Sequence, residues 1–158
     1  MTELAATGTQ SASMARSEAF VRAGEQWLLA DNPDRAAYDF RMAIAAGGPV
    51  DTNPRVPLCR ALFQLGSRDE AYALIGELRC EGRTDARVCE MITELLIEQL
   101  DLPGALDWAT AGVELMLHET GPDGSEHPGL RDLLRLRYRI RNDLRLPEDD
   151  YDKMLGTD

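Results

Sequence analysis

Apolar residues return along this chain at steps of three and four, the spacing that lays a single stripe along an α-helix. Phe20, Ala23, Gly24, Trp27 and Leu28 make such a stripe within residues 14–30, and Ala36, Phe40, Ala43 and Ile44 make the next. Asp31-Asn32-Pro33 predicts a stop and a start, with Pro33 at a first helical position where its missing N–H costs nothing. Gly47-Gly48-Pro49 is a further break. Helices are predicted over 54–65, 68–80, 85–100 and 103–118, separated by Gly66-Ser67, Gly82-Arg83-Thr84 and Asp101-Leu102-Pro103. The loop over 121–129, GPDGSEHPG, is the longest break. Pro147-Glu148-Asp149-Asp150 predicts a short terminal helix with acids in its first turn. Residues 1–12 are small and polar and are expected to form a disordered tail, with Met14 as an alternative start to Met1.

One segment breaks the helical rhythm. Residues 134–141, LRLRYRIR, alternate apolar and basic, as a half-buried strand does. A lone strand leaves its backbone groups unpaired, and no other segment carries a strand pattern. Arg and Leu are also good helix formers. Wound as a helix, Leu130, Leu133, Leu134, Leu136, Tyr138, Ile140 and Leu144 cover more than half the circumference. Arg131, Arg135 and Arg139 fall opposite, whereas Arg137 and Arg141 fall inside the apolar arc, one turn apart. The segment is therefore expected to be a capping helix, and the strand reading stands only if a second chain pairs with it. For Arg137 and Arg141 three readings stay open. Their stems lie on apolar surface while their heads reach acidic neighbours, or they line an inner face and hold a carboxylate or acidic peptide, or they form a nucleic-acid patch.

Three segments align: DNPDRAAYDFRMAI, GSRDEAYALIGELR and LDLPGALDWATAGV. Each places an alanine after a turn, at Ala36, Ala71 and Ala105, which are 35 and then 34 residues apart. Twelve residues before each stands a small residue, Gly24, Cys59 or Thr93; nine before stands a large one, Trp27, Leu62 or Leu96. Antiparallel helices joined by a tight turn approach closely only where small side chains face each other. Each pair then keeps an uncovered apolar face, so pairs must stack.

These residues resemble the tetratricopeptide repeat (TPR) family. In the first unit Phe20, Ala23, Gly24, Trp27, Ala36, Phe40 and Ala43 take the signature positions in order. The second keeps Leu58, Cys59, Leu62, Gly66, Ala71 and Ile75, with Leu78 where a small residue is usual. The third keeps Ile92, Thr93, Leu96, Asp101, Ala105 and Gly112, with Ala109 at the aromatic position and Trp108 one place early. The resemblance covers residue 17 to about 118, and the tail YRIRNDLRLPEDDYDKML is similar to that of small bacterial TPR proteins of uncharacterised function. It implies an all-α fold of antiparallel helix-turn-helix repeats stacked as a short right-handed superhelix. The units run about 17–50, 52–84 and 86–119, with a capping helix about 129–145, in one domain over 13–146; a short terminal helix or tail fills 147–158.

Composition narrows the possible roles. The 158 residues are 44% hydrophobic and 28% charged, which suits a folded domain. A formal net charge of −11 weighs against general nucleic-acid binding and against anionic membranes. Lys153 is the only lysine among the basic residues. Three scattered cysteines, Cys59, Cys80 and Cys89, form no disulfide framework and fit a reducing cytoplasm. The N-terminus has no signal-peptide pattern, and no apolar run is long enough to span a membrane.

Groups for catalysis are sparse. His118 ends a helix and His127 lies in the long loop, neither with metal-ligand spacing. Cys80 and Cys89 have no second pair, Cys59 sits at a packing position, and the glycines form no phosphate-binding loop. Glu94 and Glu98, one turn apart, read as a solvated face before they read as a cation site. No enzyme, metal or cofactor is expected. The resemblance implies instead that the first helix of each pair lines a concave groove for an extended peptide or partner helix. By register its lining would include Val21, Glu25, Leu28, Val56, Arg60, Phe63, Glu90, Glu94 and Ile97, joined by Arg137 and Arg141. The family's clamp for a C-terminal carboxylate has Lys and Asn where this chain has Val21 and Glu25, so that ligand is not implied. The expected role is a non-enzymatic adaptor or assembly factor. The alternatives are a structural homo-oligomer that covers its stack ends by dimerising, and an accessory domain that regulates a nucleic-acid enzyme through its arginine helix.

Overall fold

The computed structural model describes residues 3–47, 52–80, 85–120 and 129–156. All regular structure among them is helical: α1 (Glu3–Leu29), α2 (Pro33–Ala46), α3 (Arg55–Gln64), α4 (Arg68–Cys80), α5 (Ala86–Glu98), α6 (Leu102–Thr120), α7 (Leu130–Asp143) and α8 (Asp150–Lys153). No helix among the described residues is long and apolar enough to cross a membrane. The segment over 134–141 is helix, inside α7. Its winding brings Leu130, Leu133, Leu134 and Ile140 inward and leaves Arg131, Arg135 and Arg139 exposed.

The turns repeat with the alanines. Asp31, Gly66 and Leu100 all sit in the left-handed region, with φ of 54°, 77° and 61°. At each, the amide of the next residue donates back five positions, Asn32 to Trp27, Ser67 to Leu62 and Asp101 to Leu96. The left-handed residue itself donates back three, to Leu28, Phe63 and Ile97. This pair of bonds closes a helix C-terminus. The following residue then starts the second helix, and its carbonyl accepts from the nested alanine: Ala36 to Asn32, Ala71 to Ser67, Ala105 to Asp101. The side chains of Asn32 and Asp101 also cap their helices, accepting from the amides of Arg35 and Gly104. Glycine adopts this conformation freely, whereas Asp31 and Leu100 hold it at a cost of about 1–2 kcal/mol each.

Behind each turn the small residues are buried. Ala36, Cys59, Ala71, Thr93 and Ala105 are fully buried. The Cys59 thiol donates to the Ala71 carbonyl at 3.8 Å, so α3 and α4 touch where the sequence places their small side chains. The Thr93 hydroxyl donates to its own helix, to Cys89 O at 2.7 Å, and enters the interface without an unpaired group. At Gly24 a Cβ would lie 2.6 Å from the Phe40 ring, and at Gly112 it would lie 2.7 Å from Leu133 and 2.9 Å from Cys89. Ser17 and Ala43 close the far end of the α1–α2 pair through a buried 3.0 Å hydrogen bond. Leu78, large where the family has a small residue, is buried, as are both Trp108 and Ala109.

Two expectations change. The sequence suggests a disordered tail over 1–12, but α1 begins at Glu3. Ala5, Ala6 and Ala12 favour helix, and no proline interrupts the chain before Pro33. The sequence also suggests one domain over 13–146, but the contacts gather the chain into two compact units, Met1–Gly82 and Arg83–Asp158. In the first, α1 packs on α2, α2 on α3 and α3 on α4; in the second, α5 packs on α6, α6 on α7 and α7 on α8. Each unit thus closes on its own core, around Phe40 and Leu62 in one and around Ile92, Leu95, Val113 and Leu133 in the other.

The close approach at Gly24 is open to a direct test against Gly76, a helical glycine where an added Cβ would meet nothing within 4 Å. Gly24→Ala is expected to destabilise by about 1–3 kcal/mol, because overpacking outweighs the gain in helix propensity. Gly76→Ala is expected to stabilise by about 0.5–1 kcal/mol. Urea unfolding of the two variants reads both signs.

Candidate functional site

The groove positions implied by the family register do not share one environment. Val21, Val56 and Phe63 are buried, so they line no open surface. Their apolar side chains are drawn into the cores of their pairs; Phe63 meets Tyr72 edge to face, with ring centroids 5.4 Å apart. Leu28 on α1 and Glu90 and Ile97 on α5 are half-buried. Glu25 on α1, Arg60 on α3 and Glu94 on α5 are exposed. The exposed and half-buried positions are thus Glu25, Leu28 and Arg60 in the first unit, and Glu90, Glu94 and Ile97 in the second.

His118 is exposed in the last turn of α6, and His127 lies outside the described residues. Cys80 is exposed, while Cys59 and Cys89 are buried. Burial pushes the Cys59 thiol up to about 12, against a smaller lowering by a hydrogen bond with its own backbone, so it stays protonated at neutral pH.

Arg137 and Arg141 stand at the centre of a cluster of polar groups. They do not line an open groove: Arg137 is 3% exposed. Its Nε donates to Thr110 Oγ1 on α6 at 2.9 Å. Its two terminal nitrogens reach both oxygens of Asp149, at 3.0 and 2.5 Å, in a fork-to-fork arrangement. One of them also reaches Asp152 at 3.2 Å. Arg141 binds the same two acids, Asp149 at 3.1 Å and Asp152 at 2.9 Å, and donates to the Pro147 carbonyl. The reading in which the heads of these arginines meet the chain's own acids is the one the structure takes.

Those acids come from α8, and α8 is built to present them. Asp149 caps it, accepting from the amides of Tyr151 and Asp152, while Asp152 accepts in return from the Asp149 amide. This reciprocal capping box orients both carboxylates. Tyr151 lies over the Arg137 guanidinium, 4.9 Å from carbon to ring centre, and its hydroxyl donates to Glu114 on α6 at 3.3 Å. The left-handed residue Arg145 turns the chain back from α7 toward this site. The sequence singles out the two arginines through their place in the apolar arc, and the terminal acids as a helix start. Nothing in its periodicity joins the two.

Arg137's hydrogen bond, aided by the charges of both arginines, lowers the Asp149 carboxyl from its usual 3.8 to about 2, with burial opposing. A carboxyl depressed in the folded state contributes stability above its unfolded value and loses it as pH falls through the folded one. Thermal stability is therefore expected to drop between about pH 4 and pH 2 through this group. Asp149→Asn, which cannot titrate, is expected to be less stable than wild type at neutral pH, with the difference closing over that window. Melting curves of the two proteins across the acidic to neutral range measure it.

Comparison with protein-family models, with curated proteins and with solved structures returns no match to this chain.

Proposed function

We propose that the chain is a non-enzymatic protein–protein interaction module of TPR-like helix pairs, an adaptor or assembly factor whose first helices carry the binding surface. One observation carries this reading: the first helices of three successive pairs, α1, α3 and α5, end in the same turn at Asp31, Gly66 and Leu100, and at each of these three, unlike the similar turn at Arg145, the chain hands on to a fully buried alanine. A repeated unit of this kind gives each compact unit first helices with equivalent faces, and such faces suit an extended peptide or a partner helix. The exposed residues on those faces are charged, with Leu28 and Ile97 half-covered beside them. A partner that offers complementary charge around a small apolar anchor fits this composition.

The test is charge reversal on each unit separately. Glu25→Arg in the first unit and Glu94→Arg in the second replace exposed groups, so each should shift stability by no more than about 0.5 kcal/mol. Captured from extracts of the native host and quantified by mass spectrometry, a true partner is expected to be retained by wild type and at least tenfold depleted by one of the two variants. Equal recovery by wild type and both variants would remove the first-helix faces from consideration.

A further inference from the structure

The buried arginines are permanent charges. A guanidinium does not shed its proton, so a site holding one can never become neutral and must always contain an anion or admit water. Arg137 is 3% exposed, and the anions it meets are Asp149 and Asp152. Thr110, on the Nε side, satisfies one donor but supplies no charge.

The occupant is far less committed than the site. A helix of four residues has no stability of its own. Asp152 is its one buried residue; Tyr151 is half-covered and Met154 is 44% exposed. What holds this segment is thus mainly polar: carboxylates on guanidinium, the Tyr151 ring over the same guanidinium, its hydroxyl on Glu114 and Arg141 on the Pro147 carbonyl, with Tyr151 and Leu155 only half-covered. Another acidic turn with two carboxylates three residues apart would supply the same ionic contacts.

We propose that Arg137 and Arg141, with Thr110, form a receptor for an acidic helical turn of a partner protein, and that the segment Asp149-Asp150-Tyr151-Asp152 is a tethered competitor that fills it when the partner is absent. This goes beyond the first-helix faces described above and stands whether or not they bind anything. The required chemistry is an Asp-x-x-Asp turn, with an aromatic residue before the second acid to lie on Arg137. The formal charge of −11 disfavours a nucleic-acid occupant. Because the tether from Leu144 to Asp149 is short, the competitor acts at an effective concentration on the order of millimolar. A free segment should therefore bind far better once the tethered one is disabled.

The probe is a synthetic peptide of the sequence Leu146 to Gly156, titrated into the full, nitrogen-15-labelled chain. In the variant Asp149→Asn with Asp152→Asn, the peptide is expected to bind and to shift the α7 amides around Arg137. Binding should weaken as salt rises, and should be at least tenfold tighter than to wild type. A control peptide with Asn at both acidic positions should not bind. In wild type, excess peptide is expected to move the labelled amides of residues 150–155 to unstructured positions while Ile140 holds its own. This second measurement decides the matter even if the variant does not fold. Failure of the peptide to displace the tethered segment at saturation overturns the proposal. So does displacement by a single-stranded oligonucleotide under conditions where the peptide has no effect.

Discussion

Small side chains at the crossing points of adjacent helices govern this fold. Gly24, Cys59 and Thr93 stand on the first helix of three successive pairs, and Ala36, Ala71 and Ala105 on the second. All five side chains in that set are removed from solvent, and the glycine has no room for a Cβ beside Phe40. Interaxial distance depends on what sits at the contact, so these residues decide how tightly each pair closes. The turns answer the same demand. To bring the alanine opposite its partner, the chain must reverse within a few residues, and the left-handed conformation at positions 31, 66 and 100 does this. Two of those positions are occupied by residues that resist it. The strain at Asp31 and Leu100 persists because the packing on either side fixes the turn.

How much of this is readable from residues alone varies with range. The helix limits at the turns, the three alanines and their opposite numbers are local or periodic, and the chain announces them, though not the start of α1: the hydrogen-bond pattern of those three turns repeats at the same spacing as the alanines. The inward position of Arg137 and Arg141 also follows from a helical wheel, because it depends only on the 3.6-residue period. Their partners do not. Asp149 and Asp152 reach Arg137 across a chain reversal at Arg145, and ionic pairs twelve and fifteen residues apart leave no periodic trace. The surface positions fail for another reason. A register says which way a residue points along an ideal helix, but Val21, Val56 and Phe63 are apolar and their neighbours close over them. Burial is decided by packing in three dimensions, not by phase.

Charge plays two separate parts here. Most of the acidic excess is spread over exposed helix surface, where single ion pairs such as Arg41 with Glu70, both half-exposed, contribute little. The cluster at the C-terminal end is different in kind. Two guanidiniums and two carboxylates share hydrogen bonds, with Arg137 and Asp152 closed to water, where either charge would be costly alone, and Asp149 at the solvent edge. Removing one member of such a cluster leaves its partners uncompensated, which is why breaking it costs more than the intact cluster contributes. It defines where the last helix docks, and the capping box within that helix aims the two acids before they meet the arginines.

The nesting of the first pair is the point on which the account of the repeats turns, and it is visible to nuclear magnetic resonance. If Gly24 lies against the Phe40 ring, nuclear Overhauser cross-peaks connect the Gly24 α-protons with the Phe40 ring protons, and the ring current displaces those α-protons well away from ordinary helical glycine positions. Cross-peaks absent in a folded sample, with Gly24 α-protons at ordinary helical values, would contradict it.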